Sequence, residues 1–369
     1  MEVKVPYSIP YLPPTTETDV LDTFRSTRIS GSGAAIDFLE ESLRHALGAN
    51  FCFAVSNGSA AIRMSLLALG FRPGMRVILP GWGFHVAANI AYGMGAQIEF
   101  RDVDNDTWCM DLEGILDTIG QAEDVFLILV HTLGNSSNLD LLKRASEYTG
   151  LRIIEDSAEA MFSKFAGKNL GTHFHAGTFS FHAAKTITTG EGGLVSVNSS
   201  DLASTCQLMR SHGMTAARPY FHELAGDNFR LSNLLAAVAI GQIKEIDYIC
   251  QMRSEVYAAY LRDLSFLSTD RFITPIDPEG FFPWGFGIKL GQHKKKIALA
   301  LANAGIETRP GFTSASELPY FKRELVSNGN DLINSDVLSA EVLLLPHYPQ
   351  LSQESIRQIC EIIALEIGK

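Results

Sequence analysis

The chain has 369 residues, and its 30 Lys and Arg against 41 Asp and Glu residues give it a formal net charge of −11. Hydrophobic residues make up 46% of the chain and charged residues 19%, which supports a large packed core and excludes wholesale disorder. Such an acidic composition argues against binding to nucleic acid, which requires basic patches. We therefore expect a soluble α/β enzyme, and the length predicts two domains or one large domain with an appendage.

No segment of the sequence predicts export or membrane insertion. The first residues carry no apolar run of the signal-peptide type, and the apolar run at 126–130 is far too short to cross a bilayer. The five cysteines are scattered and show no metal-ligand spacing: Cys52, Cys109, Cys206, Cys250 and Cys360. We expect a cytoplasmic protein with reduced thiols, no metal site and no membrane partner.

The first half of the chain alternates short β runs with helical patterns. Residues 1–25 come before this alternation and are rich in proline, which predicts an arm of extended character. Helices are predicted at 60–69 and 138–149, and strands are predicted at 51–55, 76–79, 97–101, 125–131, 152–155, 178–181 and 193–197. Strands buried on both faces and separated by helices predict a mostly parallel, doubly wound sheet.

The second half of the chain predicts a smaller α/β unit. A nearly unbroken helical pattern covers 231–264, and prolines then interrupt it. A strand at 285–290 and helices at 294–304 and 353–366 follow. We divide the chain into an N-terminal arm (1–25), a large domain (26–250) and a small C-terminal domain (251–369). Ligands of such sheets bind at the carboxyl ends of the strands.

One lysine stands at such a strand end. Lys185 follows the predicted strand at 178–181 and precedes a Gly-rich turn that leads into the next strand. A lysine in a partly desolvated loop is suited to form a Schiff base with an aldehyde. Taken alone, this lysine has a simpler interpretation as a charge on a surface loop.

Two further clusters support a cofactor site. The apolar strand at 152–155 is followed directly by Asp156, and a buried carboxylate there suits the pyridinium nitrogen of pyridoxal phosphate. The same carboxylate also suits an ordinary helix cap. Gly58 and Ser59 lie in a turn between a predicted strand and a helix, where backbone N–H groups form a phosphate site. The three clusters together predict a pyridoxal-phosphate enzyme.

Six motifs in this order carry a resemblance to a known family. They occupy residues 57–62, 80–84, 131–134, 155–158, 179–193 and 226–230, and the fifth reads Phe-Ser-Phe-His-Ala-Ala-Lys-Thr-Ile-Thr-Thr-Gly-Glu-Gly-Gly. Over nearly its whole length, the chain resembles the DegT/DnrJ/EryC1/StrS family of sugar aminotransferases. The resemblance implies the fold-type I aminotransferase architecture, with a large doubly wound mixed-sheet domain and a smaller C-terminal α/β domain.

The resemblance also implies a role for each matching residue. Lys185 matches the lysine that forms the Schiff base and moves the proton, and Asp156 matches the partner of the pyridinium nitrogen. Phe84 matches the ring stacked on the cofactor. The implied phosphate ligands are Gly58, Ser59, Ser180 and Asn228. In the family, the asparagine reaches the phosphate from the neighbouring subunit, which implies a homodimer with shared active sites.

Three residues bear on the substrate or the branch of the family. Glu159, near the cofactor, stands where many members carry Gln or His, and it resembles the GDP-perosamine synthase branch. His182 precedes Lys185 and either touches substrate or is a structural histidine. Arg309 either pairs with a substrate carboxylate or is a surface charge. The dehydratase branch replaces the lysine with histidine, so Lys185 implies transamination.

The resemblance implies transfer of an amino group from an amino acid, L-glutamate, to a keto-sugar. The acceptor expected is a nucleotide-linked 4-keto-6-deoxy sugar, for lipopolysaccharide, O-antigen or another cell-surface polysaccharide. The family's histidine before Pro319-Tyr320 is absent, which leaves open a non-nucleotide keto- or aldehydo-sugar acid such as an oxidised 3-deoxy-octulosonate. A non-catalytic sensor or scaffold is the alternative of another class, against which the intact Lys185 and Asp156 argue.

Overall fold

The computed structural model describes residues 3–119, 124–142, 144–145, 150–215, 217–321 and 331–368. Its helices are α1 (Thr16–Arg25), α2 (Ala34–Leu47), α3 (Gly58–Ala68), α4 (Val86–Gly93), α5 (Ile115–Ile119), α6 (Ser200–Arg210), α7 (Asn233–Lys244), α8 (Ile246–Asp263), α9 (Lys294–Asn303), α10 (Ile333–Glu341) and α11 (Gln353–Ile367). Its strands are β1 (Phe51–Val55), β2 (Arg76–Pro80), β3 (Gln97–Arg101), β4 (Val125–Val130), β5 (Leu151–Asp156), β6 (Lys164–Phe165), β7 (Lys168–Asn169), β8 (Ala176–Ser180), β9 (Gly193–Val197), β10 (Phe286–Lys289), β11 (Arg309–Pro310) and β12 (Val342–Leu345).

A seven-stranded sheet forms the centre of the large unit, in the order β1-β9-β8-β5-β4-β2-β3. Neighbouring strands from β3 to β8 run parallel, whereas β9 is antiparallel to both β8 and β1. Every residue of β4 is buried, as expected for a strand covered on both faces. The prediction of a doubly wound mixed sheet is confirmed.

All seven strands predicted in the first half are present, with ends shifted by at most two residues. The helix predicted at 138–149 is wrong at its start, where Leu139–Leu142 forms only a 3₁₀ turn, while residues 143 and 146–149 lie outside the described residues. The helix predicted at 231–264 is divided at Glu245, whose φ of −109° and ψ of 23° are not helical. The two pieces are α7 and α8.

The N-terminal arm is extended only in its first part. From residue 16 onward the prediction of extended structure is wrong, because Thr16–Arg25 forms α1, which packs on α7. Glu17 and Asp19 lie in the first turn of α1 and Arg25 in its last, where each charge suits the helix dipole. These local helix signals outweigh the prolines that precede them.

The C-terminal unit is built on a three-stranded antiparallel sheet in the order β10-β12-β11. Its core includes Tyr260 of α8, Phe286, Ile297 and Leu345, and it also takes up Val5 from the arm. Helix α8 continues through residue 250 without interruption. The domain limits at residues 25 and 250 stay a prediction. In the described part of the chain, no helix has the length and apolar composition that a bilayer crossing requires.

Candidate active site

A cavity of about 560 Å³ opens where several strands of the central sheet end. Val130, Asp156 and Ser180 are the last residues of β4, β5 and β8, and all three line it. The residues predicted from sequence that line this cavity are Gly58, Ser59, Phe84, Asp156, Glu159, Ser180, His182, Lys185 and Arg309. The structure therefore brings together all the predicted site residues except Asn228.

The side chain of Lys185 is held between a carboxylate and an aromatic ring. Its Nζ lies 3.3 Å from Glu159 Oε1 and 4.0 Å from the centre of the Trp284 ring. The Trp284 indole is itself fixed, because Nε1 donates a hydrogen bond to the Ala184 carbonyl at 3.1 Å. Both neighbours attract an ammonium group, so the lysine is confined inside the cavity.

The two acids at the end of β5 have opposite environments, because successive side chains of a strand point to opposite faces. Asp156 lines the cavity and accepts the Ala158 N–H at 3.2 Å. Burial raises the pKa of Asp156 to about 6, although the Ala158 N–H and the Lys185 ammonium oppose the rise. This carboxyl therefore holds its proton unusually tightly unless a cation lies against it.

Glu155, the preceding residue, is fully buried and bonded to backbone. Oε1 accepts the Gly171 N–H at 2.8 Å and lies 3.2 Å from His131 Nε2, while Oε2 accepts the N–H groups of His173 and Phe174 at 2.7 and 3.0 Å. Burial alone would raise the pKa of Glu155, but the bonds from His131 and the backbone lower it overall. Its role is to hold the 171–174 loop against β5.

We expect Glu155→Gln to lower the free energy of unfolding by about 2–5 kcal/mol, because the new amide NH₂ must face at least one backbone N–H that the carboxylate now accepts. Urea unfolding of the cofactor-free protein measures this change. Glu113→Gln, at an exposed position, is the control and should unfold within about 0.5 kcal/mol of the parent. An unchanged midpoint for Glu155→Gln would contradict the assigned role.

The N-terminus of α3 forms an anion cradle. Asn57 caps the helix by accepting the Ala60 N–H at 2.7 Å, and Gly58 and Ser59 form the first turn inside the cavity. A Cβ at Gly58 would lie only 3.1 Å from the Cβ of Ser180, so glycine keeps the space between α3 and the end of β8 open. Free N–H groups at the positive end of a helix of eleven residues suit a phosphate.

Phe84 and His182 are both exposed residues that line the cavity. Phe84 is 62% exposed at the cavity and lies 6.4 Å, centre to centre, from the ring of Phe312. An exposed ring beside a cavity offers a stacking surface for a flat ligand. His182 accepts the Ala184 N–H through Nδ1 at 3.3 Å, so its ring has a structural bond while still lining the cavity.

Arg309 and Asn228 have partners within this chain. Arg309 Nη1 lies 2.7 Å from Glu307 Oε1, and the guanidinium lies 5.5 Å from the centre of the Tyr7 ring. Asn228 is exposed and does not line the cavity, and its Oδ1 accepts the Nε–H of Arg230 at 3.3 Å. The phosphate role of Asn228 requires a second subunit and stays a prediction.

The sequence motifs do not predict several of the residues that line the cavity. Tyr7 lies in the proline-rich arm, and Trp284 and Phe312 lie in the C-terminal half, far along the chain from the motifs. They reach the site only because the arm and the C-terminal unit pack against the large sheet. The aromatic run Phe-Phe-Pro-Trp before β10 was the one available hint.

The groups present fit pyridoxal phosphate. The amine of Lys185 suits its aldehyde, Asp156 suits its ring nitrogen, the α3 cradle suits its phosphate, and the exposed ring of Phe84 offers a stacking surface. The raised pKa of Asp156 indicates a carboxyl whose negative form needs a cationic partner. The fold and this set of groups define a pyridoxal-phosphate-dependent transaminase.

The chain belongs to the DegT/DnrJ/EryC1/StrS aminotransferase family, whose sequence profile matches residues 13–364. It is 31% identical over 344 residues to the GDP-perosamine synthase of Escherichia coli O157:H7, covering 92% of each protein. The GDP-perosamine synthase of Vibrio cholerae is 30% identical over 348 residues, with 93% of each covered. The resemblance drawn from the motifs is confirmed.

Solved structures agree on the fold. A putative sugar aminotransferase from Streptococcus pneumoniae aligns with a TM-score of 0.89 at 21% identity, covering 98% of this chain and 97% of that one. PseC of Helicobacter pylori, an aminotransferase involved in the biosynthesis of pseudoaminic acid, aligns with a TM-score of 0.88 at 24% identity and 99% coverage of each. The prediction of an aminotransferase architecture is confirmed.

Proposed function

We propose that this protein transfers the amino group of L-glutamate to a nucleotide-linked 4-keto-6-deoxy sugar, for a cell-surface polysaccharide such as the O-antigen of lipopolysaccharide. One observation carries the proposal: the Lys185 amine is held in a cavity of sugar size, together with a buried acid and an anion cradle. The names of the GDP-perosamine synthases to which the chain is similar support the substrate class.

Each polar group of the site has a task in this reaction. When bound, pyridoxal phosphate supplies a carbonyl that takes up the amino group and a ring that accepts electrons. In each half-reaction Lys185 Nζ moves a proton between two carbon atoms: from the donor Cα to the cofactor C4′ in the first half, and from C4′ to the acceptor carbon in the second. Glu159 holds that amine inside the cavity, within reach of the substrate. The Asp156 carboxylate would balance the positive charge of the cofactor's ring nitrogen.

We also propose a cytoplasmic homodimer in which Asn228 completes the phosphate cradle of the partner's site. Asn228 is exposed and lies outside its own cavity, as a residue offered to a second subunit would. Arg309 already pairs with Glu307, which argues against the alternative of a free sugar acid held by that guanidinium. This pairing supports an acceptor among the nucleotide-linked sugars.

The test follows the yellow absorbance of the purified protein with its cofactor. L-Glutamate is expected to bleach the band, and a nucleotide-linked 4-keto-6-deoxy sugar to restore it, with GDP-, dTDP- and UDP-linked forms compared at equal concentration. Restoration only by a free oxidised sugar acid would overturn the nucleotide-linked substrate. A colourless protein that binds no added pyridoxal phosphate would support the sensor or scaffold interpretation.

A further inference from the structure

The first part of the N-terminal arm is fastened to the C-terminal unit beside the active site. Lys4 and Val5 donate their N–H groups to the Gly305 carbonyl at 2.9 and 3.1 Å, and Val5 accepts the Glu307 N–H at 2.8 Å. Two residues further along, Tyr7 also holds the arm in place. Tyr7 donates its N–H to Glu307 Oε2 at 3.0 Å and accepts the His347 N–H at 3.3 Å.

This attachment fixes the backbone of Tyr7 on both sides, and its side chain lines the active-site cavity. The Arg309 guanidinium lies 5.5 Å from the centre of its ring, and Glu307, which bonds to the Tyr7 backbone, also pairs with Arg309. Tyr7, Glu307 and Arg309 therefore form one wall of the site. A side chain held in this way loses little further freedom when it binds a ligand.

The Tyr7 hydroxyl is available as a hydrogen-bond donor. Among the described residues, no hydrogen bond involves this hydroxyl, although most of the ring is enclosed. Burial raises the pKa of Tyr7, and the nearby Glu159 carboxylate raises it further, so the phenol stays protonated at any working pH. The wall thus presents a neutral donor to the cavity.

The surroundings of this donor indicate what it binds. The nearby Glu159 carboxylate disfavours a second carboxylate at this hydroxyl, such as that of an amino-acid donor, and the Arg309 guanidinium of the same wall is already paired with Glu307. A sugar is neutral around its ring and carries several acceptor oxygens. We propose that the Tyr7 hydroxyl donates a hydrogen bond to an oxygen of the keto-sugar acceptor, so that the N-terminal arm takes part in selecting the acceptor. This inference rests on the proposed function.

The two half-reactions separate this role from a general structural one. In the holoenzyme, Tyr7→Phe keeps the ring against Arg309 and removes only the hydroxyl. We expect bleaching by L-glutamate to proceed within about twofold of the parent rate, whereas kcat/KM for restoration by the acceptor falls about 10- to 100-fold. Tyr11→Phe is the matched control on the same arm, because the Tyr11 hydroxyl bonds to Glu245 at 2.5 Å.

Either of two results would overturn the inference. The first is that Tyr7→Phe behaves like the Tyr11→Phe control in both half-reactions. The second is that Tyr7→Phe slows both half-reactions equally. Tyr7→Ala, which also removes the ring, separates packing from recognition: a loss seen only in this variant assigns Tyr7 to packing. The acceptor that the parent protein uses tests the proposed function. The role of Tyr7 is tested separately, because the kcat/KM of the variant is compared with that of the parent on whichever keto-sugar the parent accepts.

Discussion

Lys185→Ala is expected to abolish transamination, with turnover falling at least about 10⁴-fold. The amine that this substitution removes is the basic group held between Glu159 and Trp284 inside the cavity. Proton transfer in both half-reactions depends on that amine, so neither half should compensate for the other. The measurement is amino transfer from L-glutamate to the acceptor, with thermal melting to verify that the variant is folded.

Lys185→Arg is the matched control for charge. It keeps a cation near Glu159 and over the Trp284 ring, but a guanidinium remains protonated and cannot pass a proton at working pH. We expect this variant to be as inactive as Lys185→Ala. Activity within about tenfold of the parent in either variant would contradict the assignment of Lys185 as the proton carrier.

The parts of the fold that sequence could predict are those set by local patterns. Strand β4 can be predicted from its continuous apolar run, because such a run is typical of a strand buried on both faces of a parallel sheet. The prolines before helix α1 predict extended structure, which is wrong here because acidic residues in the first turn and a basic residue in the last turn favour the helix. The division of the long helix at Glu245 cannot be predicted from a helix-breaking residue, because that position is neither glycine nor proline.

The candidate site shows the same limit. Lys185 and Asp156 lie in motifs at strand ends, so their meeting in one cavity follows from the topology of a parallel sheet. Tyr7 and Trp284 enter the cavity through packing between segments far apart in the chain, which no local pattern records. The contrast between Glu155 and Asp156 also needed the structure, because the apolar run before them does not show which side chain faces the ligand.

Asp156→Asn is expected to lower transamination about 10²- to 10⁴-fold and to stabilise the cofactor-free protein at neutral pH. The asparagine side chain can still accept the Ala158 N–H, but it carries no negative charge to pair with the ring nitrogen of the cofactor. A residue retained for function at a cost in stability shows this combination of effects. The two measurements are amino transfer with the holoenzyme and urea unfolding without cofactor.

The direction of the pH dependence follows from the raised pKa. Burial places the pKa of Asp156 at about 6 in the folded protein against 3.8 ordinarily, so the folded state binds the proton more tightly than the unfolded chain. The stabilisation from this carboxyl is present below about pH 4 and is lost as the pH rises through 6. Asparagine stays neutral, so the advantage of the variant should grow between pH 4 and 7 to about 2–3 kcal/mol.

The pH series needs a control for changes that any Asp-to-Asn substitution brings. Asp117→Asn, at an exposed position of α5, serves this purpose and should unfold like the parent at pH 4.5, 6 and 8. For Asp156→Asn, the difference from the parent should be smallest at pH 4.5 and largest at pH 8. A variant no more stable than the parent at pH 8 would show that the buried carboxylate is already balanced without cofactor. In that case the protein's own residues, above all the Lys185 ammonium, would balance the Asp156 carboxylate, a task that we assign to the cofactor.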